Sequence, residues 1–167
     1  MSARGMVGHV ITILSSYGLN YTVFDGISPN PTFSEVETGL QVLDNEGCDF
    51  ILSFGGGSPH DAAKAISLLK TNGGTIKDYV GVDLATKPGF PLVTVGTSGT
   101  GSEMTRFACI TNEEQHTKSI IIDSMMTPLL TVEDPAVLKM PRHLTAATGM
   151  DCFSHAIEAF MSANSNP

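Results

Sequence analysis

Tryptophan is absent from this 167-residue chain, cysteine occurs only three times, and positive charge is scarce. Nine lysines and arginines stand against seventeen aspartates and glutamates, a formal net charge of −8. So acidic a surface argues against nucleic acid or an anionic membrane as a partner. No apolar run approaches the roughly 18 residues that cross a bilayer. The opening Met1-Ser2-Ala3-Arg4-Gly5 lacks the apolar stretch of a signal peptide. Cys48, Cys109 and Cys152 are odd in number, widely spaced and set among apolar residues. They fit buried free thiols in a reducing cytoplasm better than a disulfide framework or a zinc knuckle.

What is present is the composition of a soluble globular protein, 41% hydrophobic and 16% charged. The length allows one good core and the beginning of a second. Residues Met6 to Tyr17 place Val7, Val10, Ile11 and Leu14 on one helical face. Tyr21-Thr22-Val23-Phe24 predicts a short strand, and Thr32 or Ser34 can cap a helix that ends at Glu46-Gly47. Phe50 to Phe54 and Leu92 to Val95 are continuous apolar strands, with a helix from about Pro59 to Lys70 between them. This is the rhythm of βαβ units, and fully apolar strands fit a parallel sheet covered on both faces. Arg106 to Thr111 and Lys118 to Ile122 then predict a hairpin around Asn112-Glu113-Glu114-Gln115, followed by a strand over Leu129 to Val132. Beyond Asp134-Pro135 the remainder reads as helix. The expectation is an α/β fold: a Rossmann-like, parallel-sheet dinucleotide-binding domain over 1–135, then the beginning of an all-helical metal-binding domain over 136–167.

Two glycine-rich loops follow predicted strands. Gly55-Gly56-Gly57-Ser58 meets a helix N-terminus, where unpaired N–H groups and the positive dipole end can face a pyrophosphate. A tight turn that merely needs positive φ is the competing explanation, and spacing alone does not separate the two. The second loop, Gly96 to Glu103, adds the hydroxyls of Thr97, Ser98, Thr100 and Ser102. Ligands of open α/β sheets bind beyond the carboxyl ends of strands, so the two loops reinforce each other. Asp151 and His155 lie four apart on a predicted helix and share a face. A carboxylate and an imidazole so spaced supply half a coordination shell, although a bare D-x-x-x-H is more often an ordinary helical pair. His60 adjoins the first glycine loop, while His9, His116 and His143 are scattered singly.

Taken together, these residues resemble the iron-containing alcohol dehydrogenases, the metal-dependent group that includes propanediol dehydrogenases and lactaldehyde reductases. The resemblance runs through Phe24-Asp25-Gly26 and Pro29-Asn30-Pro31-Thr32 to Gly55-Gly56-Gly57-Ser58-Pro59-His60-Asp61. It continues in Gly99-Thr100-Gly101-Ser102-Glu103, Thr105-Arg106, Leu144 to Asp151 and His155-Ala156-Ile157-Glu158-Ala159. It implies that Gly56, Gly57 and Ser58 cradle the pyrophosphate of NAD, with NADP an alternative. Thr97, Ser98, Thr105, Phe107 and Lys118 would line the nicotinamide and ribose side, and Asn30 would lie toward the adenosine end. Asp151 and His155 would be the first two ligands of an Fe²⁺ site, Zn²⁺ being the other candidate, made of one aspartate and three histidines.

The implied activity is hydride transfer between a primary alcohol or diol, or its aldehyde, and the nicotinamide cofactor, in a parent protein that forms homo-oligomers. Family members are more than twice as long, so the resemblance implies a fragment trimmed at both ends and inactive alone. The alternatives are a non-catalytic nucleotide-binding fragment, a truncated gene product, or a sugar- or polyol-phosphate enzyme of the same architecture. The block from Asp151 to His155 favours the alcohol dehydrogenase branch.

Overall fold

The computed structural model describes residues 3–97, 99–134, 140–163 and 165. Helix α1 spans Ala3–Ser16 and α2 spans Phe33–Glu46. Thr32 is the N-cap of α2. Its hydroxyl accepts the Glu35 N–H at 3.2 Å while its own N–H donates to Glu35 Oε2 at 3.0 Å, a complete capping box. Gly47, at φ 61°, closes the helix in the left-handed conformation that suits glycine.

Strand β1 (Ile51–Phe54) leads into helix α3 (Gly57–Asn72), then strand β2 (Gly81–Val82) and strand β3 (Leu92–Val95). Strands β4 (Phe107–Asn112) and β5 (Thr117–Ile122) form the hairpin; β6 (Leu130–Val132) and helix α4 (Arg142–Met161) follow. One sheet has the order β1-β3-β6, all parallel. The other has the order β2-β5-β4, with β2 parallel and β4 antiparallel to β5. Helix α3 is the centre of the packing. Its Ala65, Leu68 and Leu69 join Val36 of α2, Ile110 of β4, Ile121 of β5, Ile76 and Met126 in one buried cluster. Among the described residues no helix is long and apolar enough to cross a membrane.

The parallel β1, β3 and β6, with α3 between the first two, match the expected βαβ pattern, and the hairpin falls within a residue of its expected limits. Two features differ. Tyr21 to Phe24 is not a strand, because no neighbouring strand among the described residues offers it a ladder. Phe24 instead packs over Gly39 of α2, where a Cβ would come within 3.0 Å of its Cε1. The short β2 was not anticipated. Two residues carry no periodicity, and its pairing with Ile121 and Ile122 is non-local. The expected domain boundary at 135–136 lies outside the described residues at Pro135 and Ala136.

Candidate functional site: two glycine loops and a helix face

The register of the parallel sheet assembles the site. Phe54 pairs with Val95, so Gly55 and Gly96 leave the sheet side by side; Gly55 N–H donates to Val95 O at 3.2 Å and Gly96 N–H to Val132 O at 3.1 Å. The two loops therefore emerge at one edge, the carboxyl ends of the strands. Gly55 sits at φ 138°, a conformation that side chains rarely adopt. Gly56 is the N-cap of α3 and no side chain caps the helix, which leaves first-turn N–H groups open toward the edge. A Cβ on Gly56 would meet Thr97 Oγ1 at 3.5 Å, and one on Gly57 would meet Thr100 Oγ1 at 3.6 Å. The loops thus approach each other closely, and bare glycine backbone faces threonine hydroxyls.

Asn30 joins them from a third direction. Its φ of 92° is left-handed, and its backbone N–H donates to Ser58 Oγ at 3.4 Å. Pro31 O next to it accepts the Thr111 N–H at 2.7 Å, and Lys118 stands exposed on β5 in register with Thr111. Thr105 and Phe107 lie on the segment that carries the second loop into the hairpin; the Phe107 ring is half exposed. Ser98 lies outside the described residues. Asn30, Gly56, Gly57, Ser58 and Thr97 are thus brought together, whereas Lys118 lies further off, across from Thr111, whose N–H is held by Pro31 O.

Helix α4 meets this edge at one face. Gly99 has φ 120°, and a Cβ there would fall 2.6 Å from Thr148 O and closer still to the Thr148 side chain. Within α4 only Thr148 and Asp151 are half-buried, the other residues being exposed. Residues 148, 151 and 155 form one stripe, so the helix turns toward the glycine loop the face that carries Asp151 and His155. His155 Nε2 and Asp151 Oδ1 stand 3.8 Å apart. Two donors each about 2.1 Å from one ion can be separated by up to about 4.2 Å, so the pair fits as two ligands of a divalent metal. Among the described residues no third histidine, cysteine or acid joins them.

Three buried polar residues support the loops from beneath. His60 is fully buried, shares a 2.8 Å hydrogen bond with Ser53 Oγ through Nδ1, and has no partner at Nε2. Burial, reinforced by the positive charge of Lys64, lowers its pKa to about 4. His60 is therefore a neutral part of the floor beneath the first loop. Lys64, also fully buried, was not singled out in the sequence. A lone lysine inside Ala62-Ala63-Lys64-Ala65-Ile66, three residues after Asp61, was the signal available. Its ammonium lies 3.3 Å from Asp61 and donates to oxygens of Ser102, Thr105 and Phe107. Glu103 is 3% exposed, and its carbonyl accepts from Thr94 Oγ1 (3.1 Å) and Thr131 Oγ1 (2.8 Å). Burial, with the neighbouring Glu133 carboxyl, raises the pKa of Glu103.

Known proteins are similar to this chain in sequence and in fold. The family model described as iron-containing alcohol dehydrogenase matches residues 1–135. "Alcohol dehydrogenase 4" of Schizosaccharomyces pombe is 48% identical over 98% of this chain and 39% of its own length. The crystal structure of a 1,3-propanediol oxidoreductase superposes with a TM-score of 0.93 at 40% identity, over 96% of this chain and 43% of its own. Sulfoacetaldehyde reductase of Bifidobacterium kashiwanohense, solved in complex with NAD+, superposes with a TM-score of 0.89 at 33% identity, covering 98% of this chain and 44% of its own. The chain thus spans about two fifths of the length of the relatives it matches. It belongs to the iron-containing alcohol dehydrogenase family.

Proposed function

We propose that the natural full-length protein is a metal-dependent, NAD-linked dehydrogenase of primary alcohols or diols, and that this chain carries its nucleotide site and half of its metal site. The observation that carries the reading is the approach of Gly99 to Thr148, which turns the Asp151 and His155 face of α4 toward the second glycine loop. Metal ligands and nucleotide loop then border one cleft. The names of the relatives, alcohol dehydrogenase and propanediol oxidoreductase, favour alcohols and diols as substrates.

The residues divide the work by chemistry. The uncapped first turn of α3 and the bare backbone of Gly56 and Gly57 take the pyrophosphate, with Ser58 Oγ and Asn30 beside it. Thr97, Ser98, Thr105, Phe107 and Lys118 hold the nicotinamide and ribose. Asp151 and His155 hold a divalent ion, Fe²⁺ or Zn²⁺, with two donors from beyond this chain. When bound, the nicotinamide accepts or donates hydride and the ion acts as a Lewis acid on the substrate oxygen. The chain's own task is to keep the two sites at fixed separation. Three free thiols accord with a reducing cytoplasm, and homo-oligomers are expected of the full-length protein.

The test is substitution in the full-length protein. Asp151→Ala should remove bound metal, read by elemental analysis, and lower NADH formation from 1,3-propanediol by at least a hundredfold. Retained metal and activity would show that Asp151 is no ligand. The isolated 167-residue chain should form no NADH with any simple alcohol.

A further inference from the structure

The first glycine loop and the second are joined beneath the surface by one side chain. Lys64 lies on α3 seven residues after Gly57, two turns into the helix whose first turn forms the phosphate cradle. Its ammonium donates to Ser102 O (2.9 Å), Ser102 Oγ (3.0 Å), Thr105 O and Oγ1 (both 3.4 Å) and Phe107 O. Three successive stretches of backbone therefore bend toward one buried cation. Asp61, one turn earlier, completes the arrangement. Its carboxylate accepts Ser102 Oγ–H at 2.6 Å and the Cys109 N–H at 3.0 Å, and lies 3.3 Å from Lys64 Nζ.

Lys64 is fully buried, so its charge is closed off from solvent. Burial lowers its pKa while Asp61 and Glu103 oppose the shift. A buried ammonium has no gain from such a position unless oxygens surround it, and here they come from the segment that ends in Thr105 and Phe107. Seven helical residues measure about 10 Å, so α3 acts as a stiff spacer between the phosphate cradle at its tip and the carbonyls held by Lys64. Neither Arg nor a neutral residue reproduces this. A guanidinium spreads its donors in a plane, and an apolar side chain leaves three carbonyls and Asp61 without their cation.

We propose that Lys64 is a positioning residue of the nucleotide site: it gathers the carbonyls of Ser102, Thr105 and Phe107, and so sets the nicotinamide lip relative to the phosphate cradle on the same helix. The proposal rests on the dinucleotide reading above. It separates the nucleotide into two parts. The pyrophosphate and adenosine depend on α3 and Asn30, which Lys64 does not hold; the nicotinamide depends on the segment it does hold.

The experiment compares two ligands on the full-length protein. NADH and ADP-ribose, which lacks the nicotinamide, are titrated by calorimetry against wild type, Lys64→Arg, and the pair Lys64→Met with Asp61→Asn, which removes the ammonium and its ion-pair partner together. Wild type should bind NADH more tightly than ADP-ribose. In both variants NADH binding should weaken at least tenfold while ADP-ribose binding changes by less than threefold, and the KM for NADH should rise more than kcat falls. Should the paired variant fail to fold, Lys64→Arg and Ser102→Ala carry the same comparison. Equal losses for the two ligands, or an unchanged NADH preference, would overturn the positioning role. Wild type binding neither ligand would instead overturn the dinucleotide reading itself.

Discussion

Lowering the pH should destabilise this chain through His60 in a way that can be calculated. The imidazole is fully buried and its pKa falls from an ordinary 6.5 to about 4, with burial the larger cause and Lys64 the second. The group remains neutral in the folded chain at pH values where the unfolded chain has already taken up a proton. Its contribution to stability is complete above pH 6.5 and is lost as the pH falls toward 4. At pH 5 the loss amounts to about 2 kcal/mol, roughly thirtyfold in the folding equilibrium, and it approaches about 3 kcal/mol below pH 4. The assay is urea denaturation of this chain and of His60→Asn at pH 7.5 and pH 5, followed by circular dichroism. The variant cannot titrate, so wild type should lose about 2 kcal/mol more than the variant between the two conditions. The imidazole nitrogen resonances should show no titration of His60 between pH 8 and pH 5. A ring that titrates near 6.5, or equal losses in both proteins, would refute the reasoning.

Three further outcomes follow from other groups. Glu103 carries the opposite sign: burial raises its pKa, so its ionisation opposes folding and the penalty grows as the pH rises through the carboxylate range. The melting temperature of Glu103→Gln minus that of wild type should therefore increase from pH 4 to pH 8. Gly99→Ala forces a Cβ into Thr148 at a φ of 120°, and in the full-length protein it should lower kcat at least tenfold with bound metal reduced. Thr32→Ala removes one half of the capping box on α2 and should cost about 1 kcal/mol in denaturant unfolding.

The elements read correctly from sequence are those whose cause is local. Val95 followed by Gly96, or Phe54 followed by Gly55, announces a strand and its loop within a few residues, and both loops are where the pattern puts them. The hairpin carries its own turn, and Asn112 Oδ1 accepts the N–H groups of Glu114 and Gln115. Tyr21 to Phe24 failed because alternation of β-forming residues is not enough; a strand needs a partner, and Phe24 found a helix instead. Lys64 was missed for a similar reason. Its acceptors lie about forty residues further along the chain, and nothing in the alanine-rich helix itself points to them. His60 adjoined the first glycine loop in sequence but faces Ser53 beneath it, because a helix turns about 100° per residue and sends successive side chains in different directions.

With its fulcrum where Gly99 meets Thr148, α4 works as a lever. His155 lies seven residues from that fulcrum, about 10 Å along the axis, so a tilt of only 10° displaces it by roughly 2 Å. That displacement equals a whole metal–ligand bond, about 2.1 Å. Angular accuracy at one glycine therefore governs where Asp151 and His155, which move together on α4, stand relative to the glycine loops. Bulk at position 99 would be felt less at the point of collision than at the far arm, where Asp151 and His155 stand.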